Sequence, residues 1–141
     1  FAPIINTAIE EARTSGSSQS YSVLLIITDG VINDMQQTID AICEAAATSP
    51  LSIVIIGVGD ADFTAMEQID GDKNELCNSA GEPAQRDIVQ FVPFNKYKLN
   101  GTRLAKETMA EIPGQIVQYF KSRNIHPRPP IPPPMYDEIY Y

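Results

Sequence analysis

The sequence predicts an α/β fold built on a parallel sheet, and three observations carry that expectation. Two short runs, Ser22–Thr28 (SVLLIIT) and Leu51–Val58 (LSIVIIGV), are apolar at both parities, as strands buried on both faces are. The segments between them repeat apolar residues at helical spacing, so strand and helix alternate along the chain. At 141 residues and 43% apolar composition, one core of ordinary domain size is affordable.

Taken in order, Ile4, Ile5, Ala8, Ile9 and Ala12 predict a first helix over Ala2–Arg13, ended by Ser15-Gly16-Ser17-Ser18. Ser22–Thr28 is the first strand, stopped by Asp29-Gly30. Asp34-Met-Gln-Gln37 has the form of a capping box and opens a helix with Met35, Ile39, Ile42, Cys43 and Ala46 on one face, closed before Pro50. Leu51–Val58 is the second strand, and a short helix spans about Asp62 to Ile69. The polar stretch 70–86 predicts a loop or small hairpin, and Asp87–Val92 the third strand.

The last helix starts near Thr102, with Leu104, Thr108, Ile112, Ile116 and Phe120 on its apolar face. Pro113 falls inside it, where a proline costs about 3 kcal/mol unless it begins a new segment, so a kink or restart is expected there. Composition shifts near residue 126. Six of the 11 prolines fall in Pro127–Pro134, dividing the chain into a domain over 1–126 and a proline-rich tail over 127–141 of polyproline-II character.

The charge is uneven. Residues 1–72 hold 11 acids and one base, Arg13, whereas residues 73–141 hold seven acids and nine bases. An acidic first half argues against nucleic acid as a partner. The basic stretch from Lys96 to Arg128 reads as a solvated face or a contact for an anionic surface.

Cys43 and Cys77, with one histidine in the chain, exclude zinc and iron–sulfur sites for want of ligands and fit reduced thiols. Apolar runs are too short to span a bilayer. Phe1-Ala2-Pro3 has neither an initiator Met nor a signal-peptide layout and reads as an interior cut.

Ligands of open parallel sheets sit at the carboxyl ends of the strands. Those ends carry Asp29 and Asp34 after the first strand and Asp60 and Asp62 after the second, so four carboxylates are expected along one edge, a donor set suited to Mg²⁺. Asp34, Asp60 and Asp62 each precede a helix, where aspartate caps for ordinary reasons; Asp29 does not, and is the ligand candidate. Gly57-x-Gly59 fails the dinucleotide fingerprint, since Asp62 stands at its third glycine position. Asp70-Gly71-Asp72 fails as a calcium loop, with Glu75 at position six and Gly81 at position twelve. No G-x-S-x-G occurs and His126 abuts the tail, so no catalytic device is expected and the chain does not read as an enzyme. In the tail, Pro133-Pro134-Met135-Tyr136 is a P-P-x-Y sequence of the kind WW modules accept, with Tyr136 as anchor.

These residues resemble a known family. Phe1–Asn6, Leu24–Ile32 (LLIITDGVI), Ile56–Phe63 (IGVGDADF), Ile69–Asp72 and above all Arg86–Phe94 (RDIVQFVPF) are similar to the carboxyl-terminal von Willebrand factor A-type domain of copines, from Phe1 to about Pro127. The resemblance implies a Rossmann-like parallel sheet of which this chain holds the C-terminal half, about three strands with flanking helices. It also implies a cytosolic protein that binds phospholipid membranes when calcium rises. Calcium and lipid are then taken by two amino-terminal modules outside this stretch, while the A-type domain recruits target proteins. Related domains coordinate Mg²⁺ or Mn²⁺ through three loops, and Asp29 in Thr-Asp-Gly matches the third. The Asp-x-Ser-x-Ser first loop is not found and the second-loop threonine would precede Phe1, so a site on Asp29 alone is expected to be weak or empty. The alternative is a divalent-cation-dependent adhesion-type ligand-binding module. A strand Ser22–Thr28 without a neighbour on one side is further expected to pair with a second copy of the chain.

Overall fold

A computed structural model describes residues 1–14, 19–71 and 75–130. The order of elements is α1 (Ala2–Thr14), β1 (Ser22–Thr28), α2 (Met35–Thr48), β2 (Leu51–Gly57), α3 (Thr64–Ile69), β3 (Val89–Pro93), α4 (Phe94–Tyr97), α5 (Gly101–Thr108) and α6 (Ile112–Ser122). The strands form one parallel sheet in the order β1-β2-β3. Ser22 is opposite Leu51, and Ile53 opposite Val89, so residues in register share a face. The proline-rich residues Pro133, Pro134 and Tyr136 lie outside the described residues.

One face of the sheet is closed. Ile26, Leu51, Ile53, Ile55, Val89 and Phe91 meet Ile5 and Ile9 of α1, Ile42 and Ala45 of α2, and Met66 and Ile69 of α3. Fully burying aliphatic side chains of this size stabilises a fold by about 1.5–3 kcal/mol each, so this layer is the main core. Gly57 ends β2 where a side chain could not follow: an added Cβ would stand 2.9 Å from the Phe63 ring and 3.0 Å from that of Phe91.

The opposite face is closed only in part. Here α6 crosses β2 through a polar contact, with Ser52 Oγ 2.5 Å from Gln115 Oε1 and 2.8 Å from the Tyr21 hydroxyl. Both Ser52 and Gln115 are buried. The face of α6 that turns inward is therefore Ile112, Gln115 and Tyr119, and not the Ile112, Ile116, Phe120 row expected from apolar spacing. A buried serine needs a partner more than an aliphatic row needs cover, because an unmet buried polar group costs about 1–3 kcal/mol.

The strand β1 corrects another expectation. Apolar residues at both parities predict burial on both faces, yet Val23, Leu25 and Ile27 are 46%, 53% and 64% exposed. Periodicity reports that both faces of a strand are apolar; what lies over them is decided elsewhere. Among the described residues β1 pairs only with β2 and is the edge of the sheet, and no helix covers its outer row.

Two local readings hold. Pro113 occupies the first turn of α6, after α5 has ended at Thr108, so the proline begins a helix where its missing N–H costs nothing. The segment 76–84 makes a small hairpin, with the Ala84 N–H donating to Leu76 O at 2.8 Å and Cys77 paired antiparallel with Pro83. Cys43 is buried on α2 and Cys77 is exposed in that hairpin; both are free thiols.

The capping box at Asp34 does not form. Asp34 makes no side-chain cap to α2. Its carboxylate instead accepts from the Phe1 ammonium at 2.5 Å, the Ala2 N–H at 2.8 Å and the Thr38 hydroxyl at 3.2 Å, tying the start of α1 to that of α2. The Phe1 ammonium is the main reason that its pKa falls from 3.8 to about 2; burial opposes the shift and the Ala2 N–H adds to it. A carboxyl with a depressed folded pKa stabilises above its unfolded value and loses that contribution as pH falls. The 141-residue chain should therefore lose stability between about pH 4 and pH 2, and Asp34→Asn should flatten that limb of a urea-midpoint titration. An unchanged acid limb in the variant would show that Asp34 contributes nothing.

Candidate functional site

The carboxyl ends of β1 and β2 place the four predicted aspartates, but local structure employs three of them. Asp62 Oδ1 accepts from the Thr64 N–H at 3.0 Å and its hydroxyl at 2.6 Å, starting α3 and holding the carboxyl below its usual range. Asp60 accepts from the Asn95 side-chain amide at 2.9 Å, and the same nitrogen reaches Gly59 O at 2.7 Å. Asp34 is held by the start of α1. Asp29 is exposed in the turn after β1, where the Gly30 N–H donates to Thr28 Oγ1 at 3.3 Å.

The expected gathering of four carboxylates is thus not realised. Among the described residues no three His, Cys, Asp or Glu side chains stand together as a metal site. Mg²⁺ demands near-octahedral oxygen ligation, and a single exposed carboxylate does not supply it. The residues present do not fit such an ion by themselves. The physical reason is that each carboxylate finds its own donor: Asp62 turns to the N–H and hydroxyl of Thr64, Asp60 to the Asn95 amide and Asp34 to the start of α1.

Sequence reasoning missed the residue that organises the other end of the sheet. Arg86 is 7% exposed, a buried cation with no carboxylate against it among the described ion pairs. Its Nε donates to Ala46 O at 3.0 Å and a terminal nitrogen to Ser49 O at 2.9 Å. These carbonyls end α2, where the helix dipole is negative and orphan acceptors need donors. The guanidinium also stacks over the Tyr119 ring at 4.9 Å, and Arg123, which donates to Ala47 O, lies over the same ring at 5.5 Å. Two arginines and one tyrosine so fasten α6 to the end of α2. The visible signal was the start of the RDIVQFVPF stretch, where an arginine stands just before a buried strand.

Asn95 was also missed. It follows Phe94 directly and joins the β3 end to the β2 loop. Behind it, α4, α5 and the turn between them carry Lys96, Lys98, Arg103 and Lys106, all exposed. The start of the tail is anchored by Gln19, whose amide donates to His126 O at 2.5 Å and accepts from the Arg128 N–H at 3.2 Å.

With this geometry in hand, comparison with known proteins is direct. The family model described as Copine matches residues 1–128. The chain belongs to the copine family. Copine-E of Dictyostelium discoideum is 53% identical over 110 residues, which cover 78% of this chain and 19% of that protein. Copine-C of the same organism is 49% identical over 144 residues, covering 95% and 26%, and copine-D is 50% identical over 131 residues, covering 92% and 24%. The chain spans about a fifth to a quarter of the length of the curated relatives it matches. The copine match ends at 128, close to the composition break at 126. The three-stranded parallel sheet flanked by helices is consistent with a partial von Willebrand factor A-type fold. Among the described residues no helix is long and apolar enough to cross a membrane.

Proposed function

We propose that this chain is the target-binding part of a copine. In this reading, calcium and phospholipid are captured by other modules of a longer, cytosolic protein that moves to membranes when calcium rises, and this part brings a target protein with it. The observation that carries the reading is the copine match across residues 1–128, on a chain about a quarter as long as its relatives or less. In the intact domain Asp29 would be the third-loop residue of a Mg²⁺ or Mn²⁺ site that is weak or empty in this stretch alone, and Pro133–Tyr136 would be a ligand for a WW-type module.

Two measurements test it. Benzophenone side chains at positions 60 and 117 should give discrete, saturable protein adducts in a cell extract free of lipid. Flotation with phosphatidylserine vesicles should show no calcium-dependent increase in binding by this chain. No saturable adduct would remove target binding, and a calcium-dependent increase would remove the assignment of lipid capture to other modules.

A further inference from the structure

The turn between α4 and α5 is the most basic and most exposed apolar point of the described fold. From Ile88 to Lys106 there is no acid, and Lys96, Lys98, Arg103 and Lys106 give four positive charges, in a chain with 18 acids and 10 bases overall. Lys96, Lys98 and Lys106 make no ion pair with a described residue, and Arg103 meets Glu107 only at 3.9 Å. Between them stands Leu99, 95% exposed, the largest exposure of any bulky apolar side chain described.

The turn is held in shape, so this exposure is built in. Tyr97 is buried at its root, with Lys96 and Arg103 over its ring at 5.3 and 5.4 Å. The Asn100 N–H donates to Tyr97 O at 2.8 Å, and the Asn100 side chain accepts from the Arg103 N–H at 2.9 Å, capping α5. Arg103 and Lys106 are three apart and share a face of α5. The result is a firm knuckle with a leucine at its tip and cations around it. Nothing in the packing of the fold uses Leu99.

We infer that this knuckle is a docking surface for an anionic lipid bilayer, independent of calcium: Leu99 enters the headgroup–acyl boundary while Lys96, Lys98, Arg103 and Lys106 lie over the acidic headgroups. The chemistry favours a lipid surface over an acidic peptide, because Leu99 is the one exposed large apolar side chain described between residues 94 and 106, a single insertion point among cations and not the apolar row along which a peptide would lie. Interfacial binding draws on just these two sources, apolar insertion and attraction of Lys and Arg to acidic lipids. Glu107 at the end of α5 faces Arg103 at 3.9 Å, and Asp60 is turned to Asn95. The inference goes beyond the target-binding reading and does not depend on it.

The test is flotation of the 141-residue chain in EDTA with vesicles of phosphatidylcholine containing about one-third phosphatidylserine, against pure phosphatidylcholine. Binding should require phosphatidylserine, weaken steeply with salt, and fall about tenfold or more in Leu99→Asp. The double variant Lys96→Gln, Lys98→Gln should lose most of it as well. Both changes are at exposed positions, so circular dichroism should be unchanged. Absence of binding to the acidic vesicles, equal binding by Leu99→Asp, or retention of polyglutamate in place of vesicles would each overturn it.

Discussion

At micromolar concentration the 141-residue chain is expected to sediment as a dimer or larger species, and Ile27→Asp to return it to a monomer. The reason lies in β1. It is a sheet edge among the described residues, and its outer row of Val23, Leu25 and Ile27 is about half exposed. No charge or proline stands in Ser22–Thr28 to discourage pairing with another chain. On α6, Val117 is a further apolar side chain that is 51% exposed. Removing one buried aliphatic and adding a charge on each side of a two-fold contact costs about 3 kcal/mol or more, roughly 100-fold in Kd. Analytical ultracentrifugation of the two proteins reads this directly. A monomeric parent chain would refute the edge contact, and an Ile27→Asp dimer would point instead to exchange of α1.

The second large effect is expected at Arg86. Arg86→Ala should lower the free energy of unfolding by about 3 kcal/mol: hydrogen bonds from a charged donor contribute about 1.5–3 kcal/mol each, the stacking on Tyr119 adds to them, and desolvation of the cation offsets part of the sum. For a chain of this size that corresponds to a fall in Tm of about 10 °C. Arg86→Lys should recover little, since one ammonium cannot reach both Ala46 O and Ser49 O while lying flat on a ring. Urea unfolding, run in the Ile27→Asp background if the parent associates, provides the measurement. A midpoint unchanged in Arg86→Ala would mean that α6 is held by the Ser52–Gln115 contact and the core alone.

Much of this architecture was legible in the residues themselves. Apolar residues at both parities identified β1 and β2 as strands of a parallel sheet, and helical spacing placed α1 and α2 within a residue or two. Pro113 announced the break between α5 and α6, because a ring that fixes φ and lacks an N–H belongs in a first turn. The family, too, could be read from short stretches such as Arg86–Phe94. These are local properties, or words spelled by consecutive residues.

What only the tertiary structure decided is which partner each side chain meets. Val23, Leu25 and Ile27 are as apolar as Leu24 and Ile26, yet exposure separates them, because α1 and α2 cover one face of β1 and α6 stops over β2. Asp34 has the sequence of a cap, but its carboxylate accepts from the Ala2 N–H at the start of α1 instead of capping its own helix. Gln115 looks like a solvated residue within an apolar helix until Ser52, 63 positions away, is placed beneath it. Arg86 looks like an ordinary surface charge until the end of α2 offers it two carbonyls. Periodicity assigns a residue to a face of its own element; long-range packing determines what stands across from that face, and hydrogen-bond energies that depend on that neighbour determine the rest.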